Sequence, residues 1–343
     1  MALKMVIAGE WRWDIYEEAL AAGFRANGVE VIPFKAGNYL GSDLLSRIER
    51  KTLWGPATVR LNKALQRIIS ESSPDVLFLW RMTHIFRRTL ATLLRKYPGL
   101  RVVTYNNDSP FQDGRGWKQW RHYIQTARLA HLNFVYRPSD VSLAQEAGIP
   151  NPRVLLPYYL KEVHRPITEI PPDFQNDVVF VGHYEDDGRV ETLNYLARKG
   201  VSVRIYGTLW ENASLEPELK RMPIHPAYGE DYVRALAGAK IALVFLSGKN
   251  RDVYTRRCFE IPACGTAMVA PRTPELGALY RDGVEAAYFN SKEELLIEIQ
   301  RLLEDDRKRD QIAKAGLARC LGDGHSNIDR GEQVIRALKE DIF

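Results

Sequence analysis

The chain has 343 residues, 45% apolar and 27% charged, with a formal charge of +5 and a pI near 9.0. That length exceeds what one hydrophobic core serves, so two units of about 150 residues each are expected, and the composition leaves no long segment to read as disordered. No run approaches the roughly 20 apolar residues of a spanning helix, and MALKMVIAGEWRWD passes into charge where a signal peptide would stay apolar, so a cytoplasmic protein is expected.

From the start, short β-rich apolar runs alternate with amphipathic stretches. LKMVIAG precedes a helix over Asp14 to Asn27, then VEVIPF, DVLFLW, RVVTYNND and LNFVYR follow, separated by helical patterns. Such alternation predicts a parallel sheet covered by helices. Three polar groups stand where such strands end: Glu10 after the first, His84 in WRMTH, and Asp108 in NNDSP. A carboxylate or imidazole there could take the proton of an acceptor hydroxyl, although Asp-Ser-Pro also favours a simple turn.

Near 161–176 the periodicity breaks into a proline-rich, charged segment, KEVHRPITEIPPDFQND, which predicts a linker between a unit over 1–160 and one over 177–324. The alternation then restarts: DVVFVGH, a helix from Gly188 to Lys199, VSVRIYG, a helix over Glu230 to Ala239, IALVFL, a helix near Cys258, AMVAP and AAYF. A charged helix is expected over Glu293 to Arg319, and a terminal helix within 325–343 that could return to the first unit. Cys258, Cys264 and Cys320 lack zinc-ligand spacing and read as small core residues.

The stretch NRDVYTRRCFEIPACGTAMVAP carries the most chemistry. A charged loop becomes a helix that stops at Gly265, placing Arg256, Arg257 and Glu260 in its first turns. Unpaired helix N–H groups and arginines suit a pyrophosphate, and a carboxylate one turn on can accept from ribose hydroxyls. Gly182 and His183 end the first strand of this half, where a glycine lets backbone approach a phosphate. Tyr206, Gly207 and Trp210 end the next, placed to hold a nucleobase, with core packing an equal reading for Trp210. Acidic Glu185, Asp186 and Asp187 read as helix-start partners before a metal site.

TRRCFEIPACG, from Thr255 to Gly265, resembles the signature of the spore-maturation (CgeB-type) glycosyltransferases. VVFVGHYEDDGR, VRIYGTLW and HSNIDR extend the likeness through the C-terminal half, and VTYNNDSP resembles a strand-then-Asp element in the N-terminal half. The resemblance implies a GT-B fold: α/β, two doubly wound Rossmann-like domains facing a central cleft, acceptor side first and donor side second. It further implies a nucleotide-sugar donor of UDP, GDP or dTDP type, no cofactor and no essential metal. Donor contacts carry onto Gly182, Arg189, Arg257 and Glu260. Asp252 falls where retaining relatives place a glutamate that positions the sugar.

The expected function is transfer of a sugar to a glycan, protein or lipid-linked hydroxyl. The positive excess would also suit contact with an anionic membrane. Two rivals are a catalytically degenerate nucleotide-sugar binding or scaffold protein, and a nucleic-acid binder using the aromatic and basic WKQWRHYIQTARLAH. Helical spacing favours a half-buried amphipathic helix for that segment, so no nucleic acid is expected.

Overall fold

The computed structural model describes residues 2–41, 43–111, 116–248 and 250–341. The chain divides into two compact units, Met1–Leu156 with Asn327–Phe343, and Pro157–Ser326.

The first unit alternates β1 (Lys4–Gly9), α1 (Ala19–Ala26), β2 (Glu30–Lys35), α2 (Leu44–Thr52), α3 (Pro56–Ser72), β3 (Val76–Trp80), α4 (Arg87–Lys96), β4 (Arg101–Asn106), α5 (Gly116–Ala127), β5 (Leu132–Val135), α6 (Pro138–Glu146) and β6 (Pro152–Val154). The strands form one parallel sheet in the order β2-β1-β3-β4-β5-β6. β3 is an unbroken apolar run, VLFLW, because helices cover both faces of the sheet and every one of its side chains is buried. Strand order reverses direction between β1 and β3, whose register pairs Ala8 with Leu79. A crevice outside the carboxyl ends of two such strands is the usual ligand site of an open α/β sheet.

The second unit comprises β7 (Asn176–Val181), α7 (Arg189–Arg198), β8 (Val203–Tyr206), α8 (Glu230–Ala237), β9 (Ala239–Leu243), α9 (Arg257–Ala263), β10 (Ala267–Pro271), α10 (Pro274–Leu279), β11 (Ala287–Phe289), α11 (Lys292–Glu304) and α12 (Asp306–Gly322). Its parallel sheet runs β11-β10-β9-β7-β8, so the reversal falls between β7 and β9. Each unit has its own core, one around Val178, Phe180, Ile241 and Val269, the other around Val6, Leu61, Leu77 and Leu90.

Three differences from the sequence reading have clear causes. The helix expected over Glu293 to Arg319 is two helices, because Asp305 leaves helical geometry and its side chain accepts from Lys308 N at 2.8 Å, capping α12. Residues 161–176 lie within the second unit, where His164 is buried and its Nδ1 accepts from Leu160 N at 2.8 Å. The chain crosses between units earlier, at Leu156–Pro157, and again at Ser326–Asn327.

The last helix, α13 (Asn327–Asp341), packs on α1 in the first unit. The HSNIDR segment serves this crossing: Asn327 Nδ2 donates to Ala19 O at 2.8 Å, Arg330 Nε donates to Leu156 O at 3.2 Å, and Tyr159 N donates to His325 O at 3.1 Å. Gly23 makes the helix contact close, since a Cβ there would sit 2.1 Å from Asn327 O. Alanine normally stabilises a helix interior by about 1 kcal/mol over glycine. Gly23→Ala is expected to reverse that sign and cost about 2 kcal/mol through overpacking. Denaturant unfolding of the variant checks this, and a stabilised variant would refute it.

Candidate functional site

In the second unit, loops from the carboxyl ends of β7 and β9 meet at the switch point: Ser247 Oγ, after β9, donates to Glu185 Oε2, after β7, at 2.7 Å. β8 closes the other side of β7. Gly207 has φ of 154°, and a Cβ on it would lie 1.9 Å from Gly182 O, so only glycine lets the two strand ends touch. Trp210 Nε1 donates to that same Gly182 O at 2.8 Å.

Arg257 begins α9, and its Nε donates to Val181 O, holding the guanidinium over the end of β7. Gly182 leaves room for it, since a Cβ there would come within 3.0 Å of Arg257 Nη2. Thr255 Oγ1 accepts from Arg257 N at 3.1 Å and so fixes the turn into the helix. Among the described residues Arg257 makes no ion pair, unlike the other two arginines singled out here.

Arg189 is locked internally. Its Nε donates to Asp187 Oδ1 at 2.7 Å, its Nη2 to Asp187 Oδ2 at 2.5 Å, and its Nη1 to His183 O at 2.6 Å. All three nitrogens shape the loop after β7. Arg256 pairs with Glu260 instead. His183, half exposed, contacts Glu185 Oε1 through Nε2 at 2.8 Å, so Glu185 and Asp187 are each committed to neighbours within this loop system.

Glu260 is 4% exposed. Its Oε2 accepts from Tyr232 Oη at 2.5 Å and its Oε1 from Arg256 Nη2. Burial would raise its pKa, but the Arg256 guanidinium and the Tyr232 hydroxyl outweigh it and hold the carboxyl below the usual range. His164 Nε2 lies 3.9 Å from Glu260 Oε1, and burial holds that imidazole's pKa below its ordinary value. Burial beside Glu260 pushes the Tyr232 hydroxyl up, so it stays a donor.

Tyr206 and Trp210, singled out for a nucleobase, have buried side chains. Tyr206 stacks on Phe174 at 6.0 Å, and Trp210 packs edge-on against Phe180 at 6.0 Å. The apolar side chain this loop offers to solvent is Leu209, 50% exposed at φ 67°. Asp252 is half-buried in the loop after β9, with its N–H donating to Ser247 O at 3.1 Å.

In the first unit, Glu10 and His84 line one small pocket at the β1/β3 switch point, together with Arg50, Arg81 and Gly37. Asp108, after β4, adjoins it through Arg81, whose Nη2 lies 2.6 Å from Asp108 Oδ2. Ser109 Oγ donates to Asp140 Oδ1 at 2.7 Å and pins that loop to α6. Burial, with help from His122 and Arg50, pushes His84 down to about 4, so it is neutral at physiological pH. Its Nδ1 lies 2.9 Å from Thr83 Oγ1, and its buried Nε2 has no hydrogen-bond partner among the described residues.

Four groups near these sites escaped the sequence reading. Arg81, His164 and Tyr232 are recognisable only through partners distant in the chain. Glu17 is buried behind Gly9, accepts from Glu10 N at 2.9 Å, and has its pKa raised chiefly by burial. Among the described residues no group of three or more His, Cys, Asp and Glu side chains is arranged to hold a metal ion.

Residues 189–336 match the family model described as "Glycosyl transferase-like". The chain has the GT-B fold, and residues 189–336 are similar to the glycosyl transferase-like family. HepE from Anabaena, solved with UDP-glucose, superposes with a TM-score of 0.71 at 14% identity, covering 98% of this chain and 100% of that one. Sucrose-phosphate synthase from Thermosynechococcus elongatus gives 0.73 at 13% identity, covering 98% of both. A glycosyltransferase from Rickettsia africae gives 0.66 at 11% identity, covering 99% of both. A comparison with curated protein sequences finds no significant match. The family match begins at Arg189 and includes Arg257 and Glu260, so most of the residues expected from the sequence to contact a donor fall inside it.

Proposed function

We propose that this protein is a glycosyltransferase that takes its sugar from a nucleoside diphosphate donor held in the second unit, without a metal ion. The observation that carries the reading is Arg257: a guanidinium anchored on Val181 O beside Gly182, at the β7/β9 switch point, with no carboxylate pairing it among the described residues. A bidentate cation in that position suits a diphosphate, and its charge would stabilise the departing nucleotide as the glycosidic bond breaks. Structures of HepE with UDP-glucose and with UDP support a uridine diphosphate sugar as the donor.

Glu260 has a role the sequence did not indicate: it neutralises Arg256 and aligns the wall of the site, and a ribose would reach it only beside Tyr232 and Arg256. On the acceptor side, Asp108 is the base of this proposal. Arg81 orients it through their ion pair, and neutral His84 supplies a further hydrogen-bonding group at the same strand ends.

Thermal unfolding in the presence of UDP and UDP-sugars tests the donor half. Ligand at about 100 times its dissociation constant should raise the transition by roughly 5–10 °C. EDTA should leave the shift unchanged and Arg257→Ala should abolish it. No shift with any nucleoside diphosphate would sink the proposal, and binding without sugar transfer or donor hydrolysis would favour a degenerate donor-binding protein.

A further inference from the structure

Helix α2 is built inside out. Its buried side chains are Ser46 and Glu49, while Leu44 is 72% exposed, Leu45 71%, Ile48 48%, and Trp54 just beyond it 64%. The inversion has a structural cause. Glu49 turns inward to cap α3, accepting from Ala57 N at 3.1 Å and from Thr58 N at 2.9 Å, and Asp43 caps α2 itself by accepting from Ser46 N at 3.0 Å. With the polar face spent on caps, the apolar face is left to solvent, where a soluble surface rarely groups four large apolar side chains in eleven residues.

Cations border this face. Arg47, Arg50 and Lys51 are exposed on the same helix, and Arg121 of α5 reaches its C-terminal end through a hydrogen bond to Thr52 O. The two acidic residues of the segment, Asp43 and Glu49, are the ones engaged in capping. Apolar anchors bordered by cations are what an amphipathic helix lying in the plane of an anionic bilayer presents: leucines and a tryptophan enter the headgroup boundary, and lysine and arginine meet lipid phosphates.

We propose that the α2 face, Leu44, Leu45, Ile48 and Trp54 rimmed by Arg47 and Lys51, docks the first unit on an anionic phospholipid membrane. A second copy of the chain would need a complementary acidic apolar surface, whereas a bilayer of anionic lipid satisfies both the charge and the shape of a convex helix.

The test is co-sedimentation of the full chain with vesicles of phosphatidylcholine mixed with phosphatidylglycerol, and with phosphatidylcholine alone. Binding is expected only to the mixed vesicles, falling as salt is raised. Leu44→Ser/Leu45→Ser/Ile48→Ser should lower partition by roughly tenfold or more, and Arg47→Glu/Lys51→Glu by a similar factor. The serine variant leaves Ser46, Glu49 and Leu53 in place, and its unfolding transition should match the parent's. Should it fail to fold, fluorescence keeps the proposal testable: mixed vesicles should blue-shift the parent's emission, and that shift should be lost in Trp54→Phe. Absence of binding, binding indifferent to the serine variant, a blue shift retained in Trp54→Phe, or a dimer that the serine variant dissolves would each overturn it.

Discussion

Glu260→Ala is expected to destabilise the protein by about 3–5 kcal/mol, because it strands a charge in a buried network. Arg256, whose side chain is 17% exposed, loses its counterion, and Tyr232 Oη loses its acceptor. For a unit of this size that corresponds to roughly 10 °C in the unfolding transition. Tyr232→Phe should cost far less, about 1 kcal/mol, since the ion pair survives. The network also has a pH signature. Glu260 sits below its ordinary value in the fold, so its contribution is complete above pH 4.5 and is lost as pH falls through the depressed folded value.

Donor binding can be separated from this structural role. Replacing both partners, Glu260→Met with Arg256→Met, removes the stranded charge along with the pair and should recover much of the stability lost in Glu260→Ala. If Glu260 also holds the donor, the double variant will be folded yet blind to UDP; if it does not, the UDP-induced shift will return with stability. Denaturant curves with and without UDP read both quantities. A Glu260→Ala variant within about 1 kcal/mol of the parent would show that the Arg256 pair contributes little.

How far the sequence exposed this arrangement depends on the range of each interaction. β3 and β7 were legible because strands buried on both faces must be continuous apolar runs, VLFLW and VVFV. α9 and its arginines were legible because a charged loop, a short helix and Gly265 follow one another in the chain. α2 was not, since its apolar residues face outward and the cause, Glu49 capping α3, is a tertiary contact. The same limit explains the site. The family resemblance assigns Arg189 a donor contact, but Asp187, two residues away, pairs with it in the fold. Trp210 showed two readings in sequence, and the hydrogen bond to Gly182 O and contact with Phe180 put it in the core. His164 lay in a proline-rich stretch with no periodicity, and nothing local marked it as a neighbour of Glu260.

Acidification should weaken the first unit through His84. The folded pKa is pushed down to about 4 from an ordinary 6.5, first by burial and then by His122 and Arg50. Between those values the unfolded chain carries a proton the folded chain refuses, so stability rises with pH across that window. The contribution is therefore complete above pH 6.5 and is lost as pH falls toward 4, a change of about 3 kcal/mol at 1.36 kcal/mol per unit. His122 and His131 of the same unit are also depressed and add to the slope, while Glu17, raised by burial, opposes it. His84→Asn isolates the single group: the parent should lose about 3 kcal/mol more than the variant between pH 7 and pH 4 in urea unfolding. Parallel pH profiles for the two proteins would mean that His84 takes up its proton as readily in the fold as in the unfolded chain. In that case burial does not isolate the imidazole, and the pocket it shares with Glu10 and Arg81 admits water to Nε2.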